Sequence, residues 1–186
     1  MTPGPEPAIP FRRVLLVGFM GAGKSEVGVE LARQLGWRFR DFDHEIVNRI
    51  GLPIHRIFEE YGEEAFRTQE DRIARELLGS DRTVLASGGG WPCRRGRMEG
   101  LTATTLSVWL RVSPEVAVER CGGQSPIRPL LEADDPVAAA TELLEARTSF
   151  YEQADWSIDT STGDPLSLAE RLARRIRTDP ELPIRE

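Results

Sequence analysis

The residues most able to do chemistry form one glycine-rich stretch, 18–25, which reads Gly-Phe-Met-Gly-Ala-Gly-Lys-Ser. It fits the pattern G-x-x-x-x-G-K-[ST], in which backbone N–H groups wrap a phosphate, the lysine reaches the β- and γ-phosphates, and the hydroxyl ligates Mg²⁺. An apolar run before it, residues 14–17, predicts a buried strand, and apolar residues after it recur at helical spacing. The alternative, a glycine-rich turn with an exposed lysine, is disfavoured by these flanks. We therefore predict that Lys24, Ser25 and the loop bind a nucleoside triphosphate.

A pair of carboxylates, Asp41 and Asp43, follows a short predicted strand at residues 37–40. Because they are two residues apart at the end of a strand, both can face the same side while Phe42 turns to the core. Phosphoryl transfer needs Mg²⁺ near the β- and γ-oxygens and a group that accepts the acceptor hydroxyl's proton. Two acids at this spacing could divide those tasks. The alternative is structural, with Asp43 as the cap of a helix that runs to Ile50 and Asp41 as a solvated loop residue.

Two arginines stand out by their positions on predicted helices. Arg147 falls in the middle of the apolar face of the helix predicted over 136–151. A charge that faces inward needs an anionic partner, because burying it unpaired is costly; the alternative is a guanidinium that extends along its stem to solvent. Arg67 has Glu70 three residues later, a spacing that gives a helix salt bridge and can also hold a binding arginine in place. Since the planar guanidinium binds carboxylates bidentately, these arginines suggest an acceptor with both carboxylate and hydroxyl groups.

The elements that must position these residues alternate between strand and helix along the chain. This order predicts an α/β domain in which helices cover both faces of a central five-stranded parallel sheet, a three-layer αβα arrangement. The predicted strands are residues 14–17, 37–40, 83–86, 105–112 and 156–159. The predicted helices follow the glycine-rich loop to residue 35 and then cover 43–50, 53–61, 63–78, 114–121, 136–151 and a last stretch from 165. Because ligands bind beyond the carboxyl ends of such strands, residues 18–25, 41–43 and 87–90 are expected on one rim.

Length and composition indicate one domain in a reduced compartment. A chain of 186 residues, 40% of them hydrophobic, suits one core, expected over residues 11–178 with a mobile lid at about 122–133. The proline-rich leader, 1–10, and the tail, 179–186, are expected to be flexible. A net charge of −6 argues against a nucleic-acid partner. Two cysteines without metal-ligand spacing, and no apolar run near 18 residues, favour a cytoplasmic protein without a membrane partner. We expect a monomer.

The segments from Arg12 to Arg177 together resemble the shikimate kinases. The resemblance rests on six segments in one order, of which only the glycine-rich loop is specific by itself. They are residues 18–25, Asp41-Phe42-Asp43 with Ile46, residues 51–58 with 61–63 and Phe66-Arg67-x-x-Glu70, the triple glycine 88–90, Arg128-Pro129-Leu130-Leu131, and Arg147 with Tyr151. The resemblance implies the P-loop NTPase fold with a lid. It also implies transfer of the γ-phosphoryl group of ATP, with Mg²⁺, to the 3-hydroxyl of shikimate, a step in aromatic amino acid biosynthesis.

The resemblance further implies a role for each matched position. Asp43 would be the base and would contact the shikimate hydroxyls, while Arg67 and Arg147 would hold its carboxylate. Lys24 and Arg128 would neutralise charge on the transferred group, Arg128 arriving as the lid closes. The implied acceptor set is Asp43, Phe66 beneath the ring, Arg67 braced by Glu70, Gly88, Gly89, Gly90 and Arg147. The implied ATP set is Gly21, Ala22, Gly23, Lys24, Ser25, Glu26, Arg120 and Arg128, and the implied Mg²⁺ ligands are Ser25 and Asp41.

Three features depart from the family pattern. Residues 91–93, Trp-Pro-Cys, replace the small aliphatic residues expected after the triple glycine, and Trp91 could be a wall of the acceptor pocket or part of the core. The serine expected two places before Gly88 is Ala86, with Ser87 one residue later. The start of the lid, 122–127, is one residue longer than usual, contains a proline and lacks its usual basic residue. These differences could change lid kinetics or acceptor choice, but they remove no named catalytic group.

Alternatives to this interpretation remain open at the level of the sequence. A P-loop kinase of another small hydroxy acid, such as gluconate, would share the loop and the sheet, and Trp91 slightly favours it. A non-catalytic ATP-binding switch would need no acceptor pocket, so the joint presence of Asp43, Arg67 and Arg147 disfavours it. For Arg120, an exposed position at a helix end is as consistent with the sequence as contact with adenine.

Overall fold

The computed structural model describes residues 9–122 and 133–179. The strands are β1 (Arg13–Val17), β2 (Arg38–Asp41), β3 (Thr83–Ala86), β4 (Thr105–Arg111) and β5 (Trp156–Asp159). They form one sheet in the order β2-β3-β1-β4-β5, and every neighbouring pair is parallel. The helices are α1 (Lys24–Leu35), α2 (Phe42–Ile50), α3 (Ile54–Leu77), α4 (Pro114–Gly122), α5 (Pro136–Tyr151) and α6 (Pro165–Thr178). The predicted α/β class and its five parallel strands are confirmed.

The middle of the sheet is buried because helices cover it. All five residues of β1 and all four residues of β3 are buried. After their first residues, Arg13 and Thr83, both strands are continuous apolar runs, which are typical of parallel strands that have both faces covered. Around the sheet, α1 packs against α6, α2 against α3, and α4 against α5. The core therefore lies between layers, and the ends of the strands are left to form the rim.

Most helix boundaries follow the capping residues of the sequence. The side chain of Asp135 accepts the backbone N–H of Ala138 at the start of α5, and Asp164 accepts that of Ser167 at the start of α6. Within α3, Gly62 has φ 78° and ψ 171°, so the helix consists of two segments that meet at a kink, as the sequence predicts. The helical spacing of Ile57, Phe58 and Tyr61 in the sequence predicts that all three lie on the apolar side of the first segment, but Tyr61 is 59% exposed.

The cap of α2 differs from the prediction. Asp43 was the expected cap, but the structure assigns this function to Asp41, which has extended backbone angles and accepts the N–H groups of Asp43 and His44. Strand β2 accordingly runs to Asp41, and Phe42 is the first residue of the helix, fully buried. Because Asp43 is not needed as a cap, its carboxylate is free to face the rim.

A buried arginine connects the amino-terminal ends of neighbouring strands, at the end of the sheet opposite the cavity rim. Arg13 is 5% exposed, and its Nε donates to the carbonyl oxygen of Ser80 over 2.9 Å. Its Nη1 donates to the hydroxyl groups of Thr102, Thr104 and Thr105 over 3.3, 3.3 and 3.1 Å. These bonds satisfy a charge that would otherwise be costly to bury, and they join β1 to the segments that precede β3 and β4.

Several predictions concern residues outside the described ranges. They are Arg128, all of the lid at 122–133 except its two terminal residues, residues 1–8 of the leader and 180–186 of the tail. Among the helices of the described residues, none is long and apolar enough to cross a membrane.

Candidate active site

A cavity of about 1040 Å³ opens at the carboxyl ends of the strands. The predicted site residues on its wall are Gly21, Ala22, Gly23, Lys24, Ser25, Glu26, Asp41, Asp43, Gly89, Gly90, Arg120 and Arg147. Phe66, Arg67, Glu70 and Gly88 do not line the cavity, and Arg128 is outside the described residues. Residues from five separate segments of the chain therefore meet around one space, as the position of strand ends predicts.

Two glycines of the loop are required by close contacts. Gly18 has a φ of 144°, and a Cβ there would lie 2.4 Å from the carbonyl oxygen of Leu110 at the end of β4. Gly21 has a φ of 69°, and a Cβ there would lie 2.7 Å from the carbonyl oxygen of Ala117 in α4. A side chain at either position would strain the loop and collide with backbone atoms. Only glycine lets the loop pack this closely.

The lysine of the loop is held at the place where a phosphate would bind. Lys24 Nζ donates to the carbonyl oxygens of Gly18 and Phe19 over 2.9 and 2.8 Å. Lys24 is also the first residue of α1, so the positive end of that helix lies on the cavity wall. Backbone N–H groups, helix dipole and ammonium charge thus combine to favour an anion beside residues 21–24.

Ser25 and Asp41 place two hard oxygen donors side by side. The Ser25 hydroxyl donates to Asp41 Oδ2 over 2.7 Å, and both residues line the cavity. The other oxygen of Asp41 accepts the N–H groups of Asp43 and His44 over 2.9 and 3.3 Å, which fixes the orientation of the carboxylate. Hydroxyl and carboxylate oxygens are the ligands that Mg²⁺ prefers, so the residues present fit this ion.

Asp43 has the chemistry of a base that works near neutral pH. Burial raises its pKa from 3.8 to about 6, with further increases from the negative charges of Asp41 and Glu70; Lys24 and His44 lower it. A carboxylate with this pKa is mostly ionised at pH 7 but binds a proton more readily than an ordinary aspartate. Because Asp43 lies on the cavity wall, its carboxylate can accept a proton from a molecule that binds there.

Arg67 is held behind the cavity by two carboxylates of its own helix. Its Nη1 donates to Glu70 Oε2 over 2.9 Å, and its Nε and Nη2 donate to Glu63 Oε1 over 3.2 and 3.1 Å. The side chain of Glu70 is only 1% exposed, and burial raises its pKa although Arg67 acts in the opposite direction. Phe66 packs against Phe58, which does line the cavity, with ring centroids 4.6 Å apart. The expected pairing of Arg67 with Glu70 is therefore present.

The triple glycine packs tightly against these charged groups. A Cβ on Gly88 would lie 2.9 Å from Asp43 Oδ1 and 2.9 Å from Glu70 Oε1. A Cβ on Gly90 would lie 3.4 Å from Arg67 Nη1. The turn therefore separates the carboxylate of Asp43 on the cavity wall from the Arg67–Glu70 pair behind it, and a side chain at Gly88 would displace both carboxylates.

The two remaining arginines both face the cavity. Arg147 is partly buried and lines the cavity. Arg120 donates to the carbonyl oxygens of Gly21 and Thr160 over 3.2 and 2.7 Å, and it too is partly buried. It is therefore not the exposed arginine at a helix end that the sequence allowed, and it joins the phosphate loop to the end of β5.

The structure clarifies two departures from the family pattern. Trp91 is 2% exposed and packs edge-on against Phe42, with centroids 5.5 Å apart, and it does not line the cavity. It is a core residue. Ser87 lines the cavity, and its hydroxyl donates to the carbonyl oxygen of Leu16, whereas Ala86 is the last residue of β3. The serine of this segment thus reaches the rim one position later than the pattern suggests.

Several wall residues were not predicted. Thr160 is 1% exposed, and its hydroxyl lies within hydrogen-bonding distance of the carbonyl oxygens of Ala22 and Arg111. Since it directly follows β5, the strand-end rule could have identified it. His55 and Glu59 line the cavity from the first turns of α3. No spacing or motif distinguishes these two from ordinary polar positions of a helix.

Comparison with known proteins gives a consistent result. The family model described as shikimate kinase matches residues 20–177. The shikimate kinase of Persephonella marina is 40% identical over 166 residues, which are 89% of this chain and 99% of that protein. A solved structure, shikimate kinase from Acinetobacter baumannii in complex with shikimate, is 36% identical with a TM-score of 0.84, covering 92% of this chain and 96% of that one. A gluconokinase from Sinorhizobium meliloti, at 18% identity and a TM-score of 0.55 over 93% and 99% of the two chains, shares the fold alone.

Proposed function

Because the chain belongs to the shikimate kinase family, we propose that it transfers the γ-phosphoryl group of ATP to the 3-hydroxyl of shikimate, releasing ADP and shikimate 3-phosphate. The observation that carries this proposal is the common cavity wall of the phosphate loop, Asp43 and Arg147. Direct transfer requires donor and acceptor to be held in contact, which one cavity with both sets of groups provides. A nucleotide switch would have no use for the second set.

The donor half of the site would hold ATP and Mg²⁺. The loop residues 21–25 would bind the phosphates, with Glu26 at the edge of the site, and Arg120 would lie beside the adenine. Ser25 and Asp41 would hold Mg²⁺, which supplies positive charge to the β- and γ-oxygens when bound. Lys24 would exchange its contacts with the loop carbonyls for the transferred group and neutralise charge there. Arg128, which lies outside the described residues, would add a second positive charge.

The acceptor half would bind and activate shikimate. Asp43 would accept the proton of the shikimate 3-hydroxyl while the oxygen of that hydroxyl forms a bond to the γ-phosphorus. The bond between the γ-phosphorus and the β,γ-bridging oxygen would break, and ADP would leave. Arg147 would pair with the shikimate carboxylate from the cavity wall. Arg67, which Glu70 orients, would pair with the same carboxylate from the side of Gly90. Phe66 would support the ring through Phe58, and the backbone of residues 88–90 would contact the hydroxyl groups.

A direct assay tests the assignment of the acceptor. The full chain is supplied with ATP and Mg²⁺ and with shikimate or gluconate, and ADP and the phosphorylated product are measured. We expect shikimate 3-phosphate with shikimate and no ADP above background with gluconate. Bound ATP without turnover on shikimate would overturn the proposal, and turnover on gluconate alone would replace the acceptor.

Two variants test the arginines separately. Arg67→Ala and Arg147→Ala should each raise KM for shikimate by about 10- to 100-fold, since a charge-assisted hydrogen bond contributes about 1.5–3 kcal/mol, and should leave KM for ATP unchanged. Arg75→Ala is the matched control, because Arg75 is an exposed arginine on α3 that bonds the carbonyl oxygen of Asp71 and does not line the cavity. An unchanged KM for shikimate in either variant would contradict the role of that arginine.

We also propose that the enzyme works in the cytoplasm as a monomer that binds small molecules. The chain has two cysteines, Cys93 and Cys121, and this low cysteine content supports a reducing compartment. Analytical ultracentrifugation of the full chain at assay concentration tests the monomer, and a single species of twice the mass would contradict it.

A further inference from the structure

Tyr151 joins two parts of the acceptor half of the site. Its side chain is fully buried, and its hydroxyl donates to the carbonyl oxygen of Gly89 over 2.7 Å. Its ring stacks on that of Trp109, with centroids 5.9 Å apart and planes 28° from parallel. It lies four residues after Arg147, on the same face of α5. One side chain therefore contacts the triple-glycine turn and shares a helix face with the arginine of the cavity wall.

The same hydroxyl has two further polar neighbours. Burial raises the pKa of Tyr151 well above its usual value, so the hydroxyl keeps its proton and remains a donor. Arg147 lies one helical turn before Tyr151, and its positive charge acts in the opposite direction on this pKa. Cys93 Sγ lies 3.6 Å from the carbonyl oxygen of Gly89, beside the tyrosine. A tyrosine hydroxyl has one proton to donate and lone pairs that accept, so it can serve Gly89 and Arg147 together.

We propose that Tyr151 is a positioning residue that holds the Gly89 turn and the Arg147 guanidinium in fixed relation, so that both meet the acceptor at once. This inference rests on the proposed function for its substrate, shikimate. The chemical reason is the composition of the turn, since residues 88–90 have no side chains with which to fix themselves. Glycine backbone loses more conformational freedom on ordering than any other residue, so an external hydrogen bond is needed to hold one conformation. Arg147 has several rotatable bonds and gains a fixed acceptor from the same oxygen.

The substitution Tyr151→Phe removes only the hydroxyl and keeps the ring that stacks on Trp109. It leaves the carbonyl oxygen of Gly89 with the thiol of Cys93, a weak donor, and leaves Arg147 without an acceptor at this position. We expect KM for shikimate to rise about 5- to 20-fold, in line with about 1–2 kcal/mol for buried hydrogen bonds near a charge, and KM for ATP to stay the same. The chain has a second tyrosine, Tyr61, which is 59% exposed, and Tyr61→Phe is the matched control with no expected change.

A double-mutant cycle separates positioning from general destabilisation. If Tyr151 acts through Arg147 as well as through Gly89, Tyr151→Phe should raise KM for shikimate by a smaller factor in the Arg147→Ala background than in the natural protein. If the increases in KM for shikimate caused by the two single substitutions multiply in full in the double variant, the proposed coupling is overturned. Equal increases in KM for shikimate and for ATP would indicate a merely structural role and would also overturn the proposal.

Amide hydrogen exchange tests the same proposal without any turnover. The N–H groups of Trp91 and Cys93 are hydrogen-bonded to the carbonyl oxygens of Gly88 and Gly90, so they report on the order of the turn. In Tyr151→Phe their exchange should be about 3- to 10-fold faster, while exchange in β1 and β4 is unchanged. Unchanged exchange at Trp91 and Cys93 would overturn the proposal even if shikimate is the acceptor. Faster exchange in a protein that does not phosphorylate shikimate would leave the positioning role intact and reject the proposed function.

Discussion

Replacing Asp43, the proposed base, by its uncharged analogue should stabilise the fold while it removes activity. Burial raises the pKa of Asp43 from 3.8 to about 6, which means that the folded protein disfavours the ionised carboxylate. At about 1.4 kcal/mol for each pKa unit, ionised Asp43 costs the native state on the order of 3 kcal/mol. Asp43→Asn keeps the size of the side chain and removes the charge. We expect it to gain up to about 3 kcal/mol in free energy of unfolding and to lose turnover by about 10²- to 10⁴-fold.

The sign of the effect depends on pH in a defined way. Below pH 3.8 the carboxyl group is protonated in both the folded and the unfolded chain, so it has no cost. As pH rises to about 6, the unfolded chain loses this proton while the folded chain retains it, and the native state becomes progressively less stable. Above about pH 6 both states are ionised and the cost is constant. The advantage of Asp43→Asn should therefore grow between pH 4 and 6 and stay level from pH 7 to 8.

Urea denaturation at pH 5 and pH 8 measures this advantage directly. A gain of about 3 kcal/mol corresponds to about 6–12 °C in Tm for a domain of this size, so thermal unfolding provides a second readout. The control is Asp81→Asn, at the amino-terminal end of the strands. There the Arg12 guanidinium holds the pKa of Asp81 below its usual value. That substitution should give no gain. The reasoning is refuted if Asp43→Asn is no more stable than the natural protein at pH 8, or if its gain is the same at both pH values.

Three further predictions concern the same structure. In the natural protein, kcat/KM for shikimate should rise about tenfold per pH unit below pH 6 and level off above it, because Asp43 must be ionised; a profile flat from pH 5 to 7 would contradict this. Gly88→Ala should lower kcat/KM for shikimate by about 10- to 100-fold, because the added Cβ would displace the carboxylates of Asp43 and Glu70. Gly79→Ala, away from the cavity, should leave kcat/KM unchanged, and equal activity of the two variants would refute this prediction. Arg13→Ala should lower the free energy of unfolding by about 2–3 kcal/mol in urea titrations without changing KM for ATP or for shikimate. A changed KM would show that the amino-terminal ends of the strands are coupled to the cavity at their carboxyl ends.

The sequence was sufficient for the features that are set by neighbouring residues. The buried strands and most helices depend on patterns within a few residues, so residues 14–17 predicted β1 and residues 136–151 predicted α5. The glycine-rich loop was predictable for the same reason, because its conformation requires glycine at fixed spacing. The order of these elements, and the resemblance of their motifs, were enough to identify the family.

Tertiary structure decided the features that depend on distant segments. The sequence allowed Asp43 to be a helix cap and Trp91 to be a pocket wall, whereas the structure gives the cap to Asp41 and buries Trp91 against Phe42. The raised pKa of Asp43 also depends on Glu70, which a helix on the other side of the turn brings close, and the bond from Tyr151 to Gly89 spans 62 residues. Burial, and the charges that surround a group, are sums over whatever the fold packs against it. No window of neighbouring residues contains that information, so the sequence could indicate many residues of the cavity wall but not the cost of ionising Asp43.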